Sequence, residues 1–312
     1  MAQRTAEDRK RMWRAVDVAL AVVLTVGGVG CAVYAIVGRW GLDQGYIGDR
    51  WLDYVFAAWV SLYVTTIAFV IGLVIGFFFG WIRATRSVPL GKIMRDAKKV
   101  ADAQGLDHVP FPATQIIWHG FKYIVRRFGD AFVAVIRGTP LFVQIVFVWS
   151  VLLIRVPTLN PLVLASIAGL IALTANTGGY QSEIFRAGLQ TVHSGQVEAA
   201  RALGLSKFQA MRHIILPQAI RLVIPPLTNE YIGLLKASSL LIVIGIEELT
   251  GFGRREAFDF FKVFESFALV TAIYLLLTVP LSRVIAYVER RLRIPGLGIQ
   301  EVTAPRAPRA AT

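Results

Sequence analysis

Apolar positions along this chain gather into long runs, and polar positions fall between the runs rather than alternating within them. Six runs can be traced, at 16–37, 54–82, 131–154, 161–179, 225–246 and 267–287. A helix rises about 1.5 Å per residue, so the first run covers roughly 33 Å, enough for a hydrocarbon core of about 30 Å. A cleaved signal peptide is the competing reading of that run, although such a peptide has an apolar core of only about 7–15 residues. The second run is longer than a perpendicular helix needs, which predicts tilt or projection beyond the bilayer. The pattern predicts an all-α membrane protein with six transmembrane helices.

The polar segments carry patterns of their own. Between 39 and 53, Arg39 and Arg50 stand against Asp43, Asp49 and Asp53, and Trp40, Trp51 and Tyr54 flank the loop as interfacial aromatics do. Within 83–130, Leu90, Ile93, Met94, Ala97 and Val100 recur at helical spacing, predicting an amphipathic helix on the membrane surface that stops near Gly105. A second amphipathic stretch, with Ile117, Phe121, Ile124 and Phe128, leads into the third span. The segment 247–264 mixes Glu247, Glu248, Glu256 and Asp259 with Arg254, Arg255 and Lys262 and reads as an outer connection. The tail, 291–312, has no apolar period and is expected to be disordered.

Composition sharpens this. Of 312 residues, 55% are hydrophobic and 17% charged, where a soluble domain carries about a quarter charged residues. The net charge of +13 could suggest nucleic acid, but the cations lie in the connections between apolar runs, as membrane topology requires. With the amino terminus inside, the segments 1–14, 83–130, 181–223 and 283–312 become cytoplasmic and hold most of the 33 Lys and Arg residues. Both termini are then cytoplasmic, in the inner membrane. A lone cysteine, Cys31, allows no internal disulfide, and the four histidines show no metal-ligand spacing.

Three stretches carry candidate function. Residues 198–217 read as two short helices joined at Gly204, which suits a left-handed helix end. Ser206 and Gln209 make a capping-box pattern for the second helix, with Phe208, Met211 and Ile215 on one face, and Pro217 limits its continuation. In Arg137-Gly-Thr-Pro-Leu-Phe-Val-Gln144, Pro140 should loosen the third span and free carbonyls, while Arg137 can snorkel to the interface. Asn176 and Thr177 place polar groups near the end of the fourth span, and Glu183 and Arg186 can pair one turn further on. Glu230, Lys236, Ser238 and Ser239 lie in the fifth span, where ionisable groups are functional candidates.

The spacing of Glu198, Ala199, Ala200, Gly204, Ile214, Leu216 and Pro217 resembles the cytoplasmic-loop signature of permease subunits of ATP-binding-cassette importers. Residues 137–144 and Tyr180-Gln-Ser-Glu-Ile-Phe-Arg-Ala-Gly188 resemble motifs of the polar amino-acid branch. The resemblance implies a MetI-like type-1 transmembrane domain over 55–290. It carries a cytoplasmic insertion at 83–130, is preceded by one extra helix within 1–54, and is followed by the tail. It also implies that the 198–217 loop couples to a separate ATPase, two copies per complex. A second permease subunit, identical or related, and an extracytoplasmic amino-acid-binding protein complete the assembly. The pathway candidates are Asn176, Thr177, Glu230, Lys236, Ser238 and Ser239. No Walker lysine loop occurs, so ATP and Mg are expected on the partner, with no cofactor and no catalysis on this chain. The rival readings are a self-contained secondary transporter using Glu230 and Lys236 as an ion or proton relay, against which the absence of an inverted repeat counts, and a membrane scaffold with no pathway.

Overall fold

The computed structural model describes residues 42–84, 90–103, 112–191, 199–200 and 202–292, together with positions 16, 19–20, 23–24, 26–28 and 30–31. Glu198, most of the first apolar run and the tail beyond 292 lie outside the described residues. Among the described residues there is no strand. The helices are α1 (Gln44–Ala84), α2 (Leu90–Ala103), α3 (Ala113–Gly138), α4 (Leu141–Arg155) and α5 (Pro161–Thr191). Then follow α6 (Lys207–Ala210), a π turn (Met211–Ile215), α7 (Leu216–Ala237), a 3₁₀ segment (Ser238–Ile244), α8 (Leu249–Asp259) and α9 (Val263–Leu292).

Four stretches have the length and apolarity to cross a membrane: Gln44–Ala84, Pro161–Thr191, Phe208–Ile244 and Val263–Arg290. At 41 residues, α1 is about 61 Å long, so it projects beyond the bilayer as its apolar run predicts. The third expected span needs correction. It is a broken pair, α3 and α4, bent by 108° at the junction. Pro140 disfavours helical backbone in the residue before it, and Thr139 is accordingly extended, at φ −120° and ψ 144°. The fifth span begins earlier than expected, because the chain runs on as helix from Phe208 through Pro217. The π turn explains this: the Leu216 N–H reaches back to the Met211 carbonyl, and Pro217 falls in the first turn of α7, where a missing N–H costs little.

The central element is α5. It packs most extensively against α1 and also against α3, α4 and α7, and 61% of its apolar window is buried, against 22–33% for the other spans. Its contact with α1 is close enough to require glycine. Gly72, Gly76 and Gly80 recur every four residues on one face of α1. A Cβ at Gly72 would stand 2.5 Å from Thr177 Cγ2, one at Gly76 2.6 Å from Gln181 Cβ, and one at Gly80 2.6 Å from Phe185 Cβ. In lipid, such small-residue faces let backbones approach and gain dispersion contact where no hydrophobic force acts between helices. On another face of α5, Gly179 receives Ile136 of α3, whose Cγ2 lies 2.6 Å from the Cβ position.

Two apolar clusters complete the packing. One gathers Ala68, Ile145, Ala168, Leu173, Leu234 and Leu241 around α5. The other joins Tyr54, Ala58, Leu249, Leu269 and Val270 among α1, α8 and α9. Tyr54 is a correction to the interfacial reading: it is fully buried, edge-on to Phe252 at 4.9 Å. The 247–264 segment is likewise not a simple outer connection but holds α8, capped by the fully buried Glu248. One carboxylate oxygen of Glu248 accepts the Thr250 and Gly251 N–H groups at 2.9 and 3.0 Å. The other accepts Ser61 Oγ at 2.8 Å and the Tyr274 hydroxyl at 3.0 Å, tying three helices to one side chain.

Gly76→Leu should therefore wedge α1 from α5, at a cost on the order of 1–3 kcal/mol. Gly48→Ala, on the same helix with nothing within 4 Å, serves as the control. In thermal unfolding of detergent-purified protein, Gly76→Leu is expected to lower the midpoint by several degrees and Gly48→Ala to leave it unchanged.

Candidate functional site

The hairpin that follows α5 is built locally, from capping chemistry. Gly204 has φ +82°, and the Leu205 N–H closes back onto the Ala200 carbonyl at 3.1 Å. The Ser206 N–H donates to Gln209 Oε1 at 2.8 Å and the Gln209 N–H to Ser206 Oγ at 3.2 Å, a reciprocal capping box. Ala200 and Ala210 are buried, whereas Ala199 is exposed. The residues turned outward are Leu203, 83% exposed, and Phe208, 72% exposed. Ile214 and Leu216 are half-buried and Pro217 is exposed along the π turn and the start of α7. The second arm of the hairpin is thus continuous with a span, and the hairpin presents two large apolar side chains with no cover among the described residues.

Near the end of α1, charged groups knit three helices together. Arg83 of α1, largely buried, donates to Asp130 of α3 at 2.7 Å and to Glu183 of α5 at 3.0 Å. Glu183 also pairs with Arg186, as its spacing predicts. Arg137 does more than snorkel. Its guanidinium lies over the Tyr180 ring at 5.4 Å and 4.0 Å from Glu183. Breaking such a partly buried network leaves charges uncompensated, so it holds α1, α3 and α5 in fixed register at this end.

The broken span creates an exposed polar patch, and Gln144 fills it. Its amide nitrogen donates to the Ile136 and Thr139 carbonyls, at 2.8 and 3.1 Å, satisfying acceptors that the bend at Pro140 releases. Its oxygen accepts from Asn176 Nδ2 at 3.1 Å. The structure therefore brings Asn176 to the bend. Thr177 is fully buried against α1 and accepts from Gln181 at 3.0 Å, with the half-buried Glu230 beside it. Lys236 is exposed, about 9 Å further along α7. Ser238 and Ser239 turn their hydroxyls onto the Leu235 and Lys236 carbonyls, both at 2.7 Å, where α7 tightens into the 3₁₀ segment. A cavity of about 400 Å³ lies beyond, lined by Ile242, Glu247, Gly251, Arg254, Arg255 and Phe258. None of the six pathway candidates lines it. Sequence reasoning missed Gln144 as a carbonyl donor, Arg83 and Glu248. Only Gln144 carried a signal, its place four residues after Pro140.

These elements match known proteins. The family model for binding-protein-dependent transport system inner membrane components matches residues 115–294. The glutamine transport system permease protein GlnP of Escherichia coli (strain K12) is 37% identical over 172 residues, covering 55% of this chain and 78% of that protein. The probable glutamine ABC transporter permease protein GlnM of Bacillus subtilis (strain 168) is 42% identical over 164 residues, covering 53% and 74%. Among solved structures, an amino acid ABC transporter with histidines superposes with a TM-score of 0.64 at 29% identity, over 80% of this chain and 99% of that one. The inward-facing MetNI methionine ABC transporter superposes with a TM-score of 0.53 at 20% identity, over 79% and 99%, a likeness of fold. The family match spans more than half of the sequence and takes in the broken span, the α3 and α5 partners of Arg83 and the hairpin. The chain belongs to the binding-protein-dependent transport system inner membrane components.

Proposed function

We propose that this chain is the membrane-spanning permease subunit of an ATP-driven amino-acid importer and couples to a separate ATPase through the hairpin at 198–217. The observation that carries the coupling is the pair of uncovered apolar side chains, Leu203 and Phe208, on a hinge whose angle is set by Gly204. The amino-acid class rests on the relatives, which include glutamine permeases. The orientation follows the positive-inside pattern, with both termini and the hairpin cytoplasmic in the inner membrane. The permease domain is 55–290, with 83–130 as an insertion. ATP and Mg are on the partner, two ATPase subunits per complex. A second permease subunit completes the pathway, and an extracytoplasmic binding protein supplies substrate.

The coupling is mechanical. Closure of the ATPase pair carries the hairpin with it. Its second arm is helically continuous with α7, so displacement tilts α7 as a lever. The other arm pulls on α5, which the Arg83–Glu183–Asp130 network ties to α1 and α3. Glu198 faces the ATPase in this reading and adds an exposed pair of about 0–1 kcal/mol. Steric fit of Leu203 and Phe208 supplies most of the coupling. Along the pathway, Asn176, Glu230 and Lys236 meet the substrate. Thr177 and Ser238 are fully buried and support them from behind. A secondary carrier using Glu230 and Lys236 would need no ATPase, so copurification of an ATPase with the tagged chain separates the two readings.

Two outcomes are expected. At matched membrane levels, Gly204→Asp and Phe208→Glu reduce amino-acid uptake by roughly tenfold or more, the scale of losing one buried apolar anchor, and Glu198→Gln reduces it far less. Equal loss in all three would count against steric coupling. In proteoliposome uptake, Asn176→Ala raises the KM for the transported amino acid, whereas Ser239→Ala, whose hydroxyl serves its own helix, leaves it unchanged.

A further inference from the structure

The first two-thirds of α3 bears an apolar stripe that no other described element covers. Ile117, Phe121, Ile124 and Phe128 recur at helical spacing, each more than half exposed, and Val135 continues the row toward the bend. Each margin of the stripe carries an aromatic–cation pair. On one side Lys122 lies over the Trp118 ring at 4.8 Å. On the other Arg127 lies over the Tyr123 ring at 5.2 Å and donates to its hydroxyl at 3.1 Å. Among the described residues, neither cation has a carboxylate within ion-pair distance. Next to α3, α2 packs Ile93 inward and leaves Met94 and Val100 exposed beside Lys92, Lys98 and Lys99.

Two occupants could cover such a face, a protein or a bilayer. The buried centre of a protein interface is depleted in lysine and other charged groups. A helix lying in the bilayer interface shows the opposite: an apolar stripe with Trp and Tyr at its edges and Lys or Arg beside them. The stripe also runs without interruption toward the bend at Pro140, into the part of α3 that pairs with α4 as the broken span.

We infer that residues 113–128 of α3 form an interfacial anchor for anionic phospholipid, with the stripe sunk into the inner leaflet and Lys122 and Arg127 taking headgroup phosphates on either margin. The aromatic partners hold both cations at headgroup level instead of letting them sweep through water. The anchor fixes the height of α3 and, through Asp130 and Arg83, the height of the inner ends of α1 and α5. Its placement on the inner leaflet rests on the orientation proposed above.

The test uses the full chain with Cys31→Ser, reconstituted in vesicles of phosphatidylcholine or of phosphatidylcholine with phosphatidylglycerol. A spin label on Ile124→Cys should be more accessible to oxygen than to a water-soluble nickel chelate. Spin-labelled phosphatidylglycerol should associate roughly fivefold more strongly than phosphatidylcholine, as two interfacial cations allow, and this preference should fall with salt and vanish in Lys122→Gln/Arg127→Gln. A label at position 124 that is reached mainly by the chelate, or immobilised by protein contact, would overturn the anchor. So would a phosphatidylglycerol preference untouched by salt and by the double substitution. Modification of a cysteine at Leu203 only from outside would instead overturn the orientation, leaving the depth at 124 to be read separately.

Discussion

The close approach of α1 and α5 is the constraint on which the rest of the molecule depends. Three glycines one turn apart let two backbones meet where any Cβ would strike the neighbouring helix. In lipid there is little hydrophobic gain from bringing two apolar helices together, so shape and dispersion must hold them. Once α1 and α5 share this seam, Thr177 and Gln181 are locked inside it, and Arg83 is delivered to Glu183. The ion network around Arg83 thus lies on the same α1–α5 seam.

From that seam the two ends of the molecule differ in kind. The end near α8 is held by one buried carboxylate, Glu248, with four hydrogen-bond donors from α1, α8 and α9. The opposite end is held by arginines and carboxylates that remain partly exposed. The first is a closed network with every acceptor used, which favours rigidity. The second is composed of partly exposed ion pairs that join α1, α3 and α5. The bend at Pro140 stands between them. Gln144 converts what would be a defect at membrane depth into a polar patch joined to Asn176.

The hairpin shows how local chemistry and global continuity combine. Its shape needs only nearby residues: a left-handed glycine and a reciprocal Ser–Gln box. Its continuity with a span comes from the π turn, which carries the helix past Pro217 into α7. A proline that reads as a stop in one dimension is carried within a continuous helix, because it falls in the first turn of α7, where a missing N–H costs little.

The sequence by itself determined what depends on short range and on solvent. Apolar runs of sufficient length mark helices able to span, and Gly204, Ser206 and Gln209 specify the hairpin, because each effect acts within a few residues or against the bilayer. It also marked Pro140 as a point of weakness. Only the tertiary structure decided how that weakness resolves, as a 108° break stitched by Gln144. It alone turned the Gly72–Gly76–Gly80 row from ordinary apolar helix into a seam, buried Tyr54, and made Glu248 a cap rather than a surface charge. These depend on which faces of distant helices meet. A side chain's partner more than a hundred residues away leaves no trace in its neighbours, so periodicity cannot foretell it.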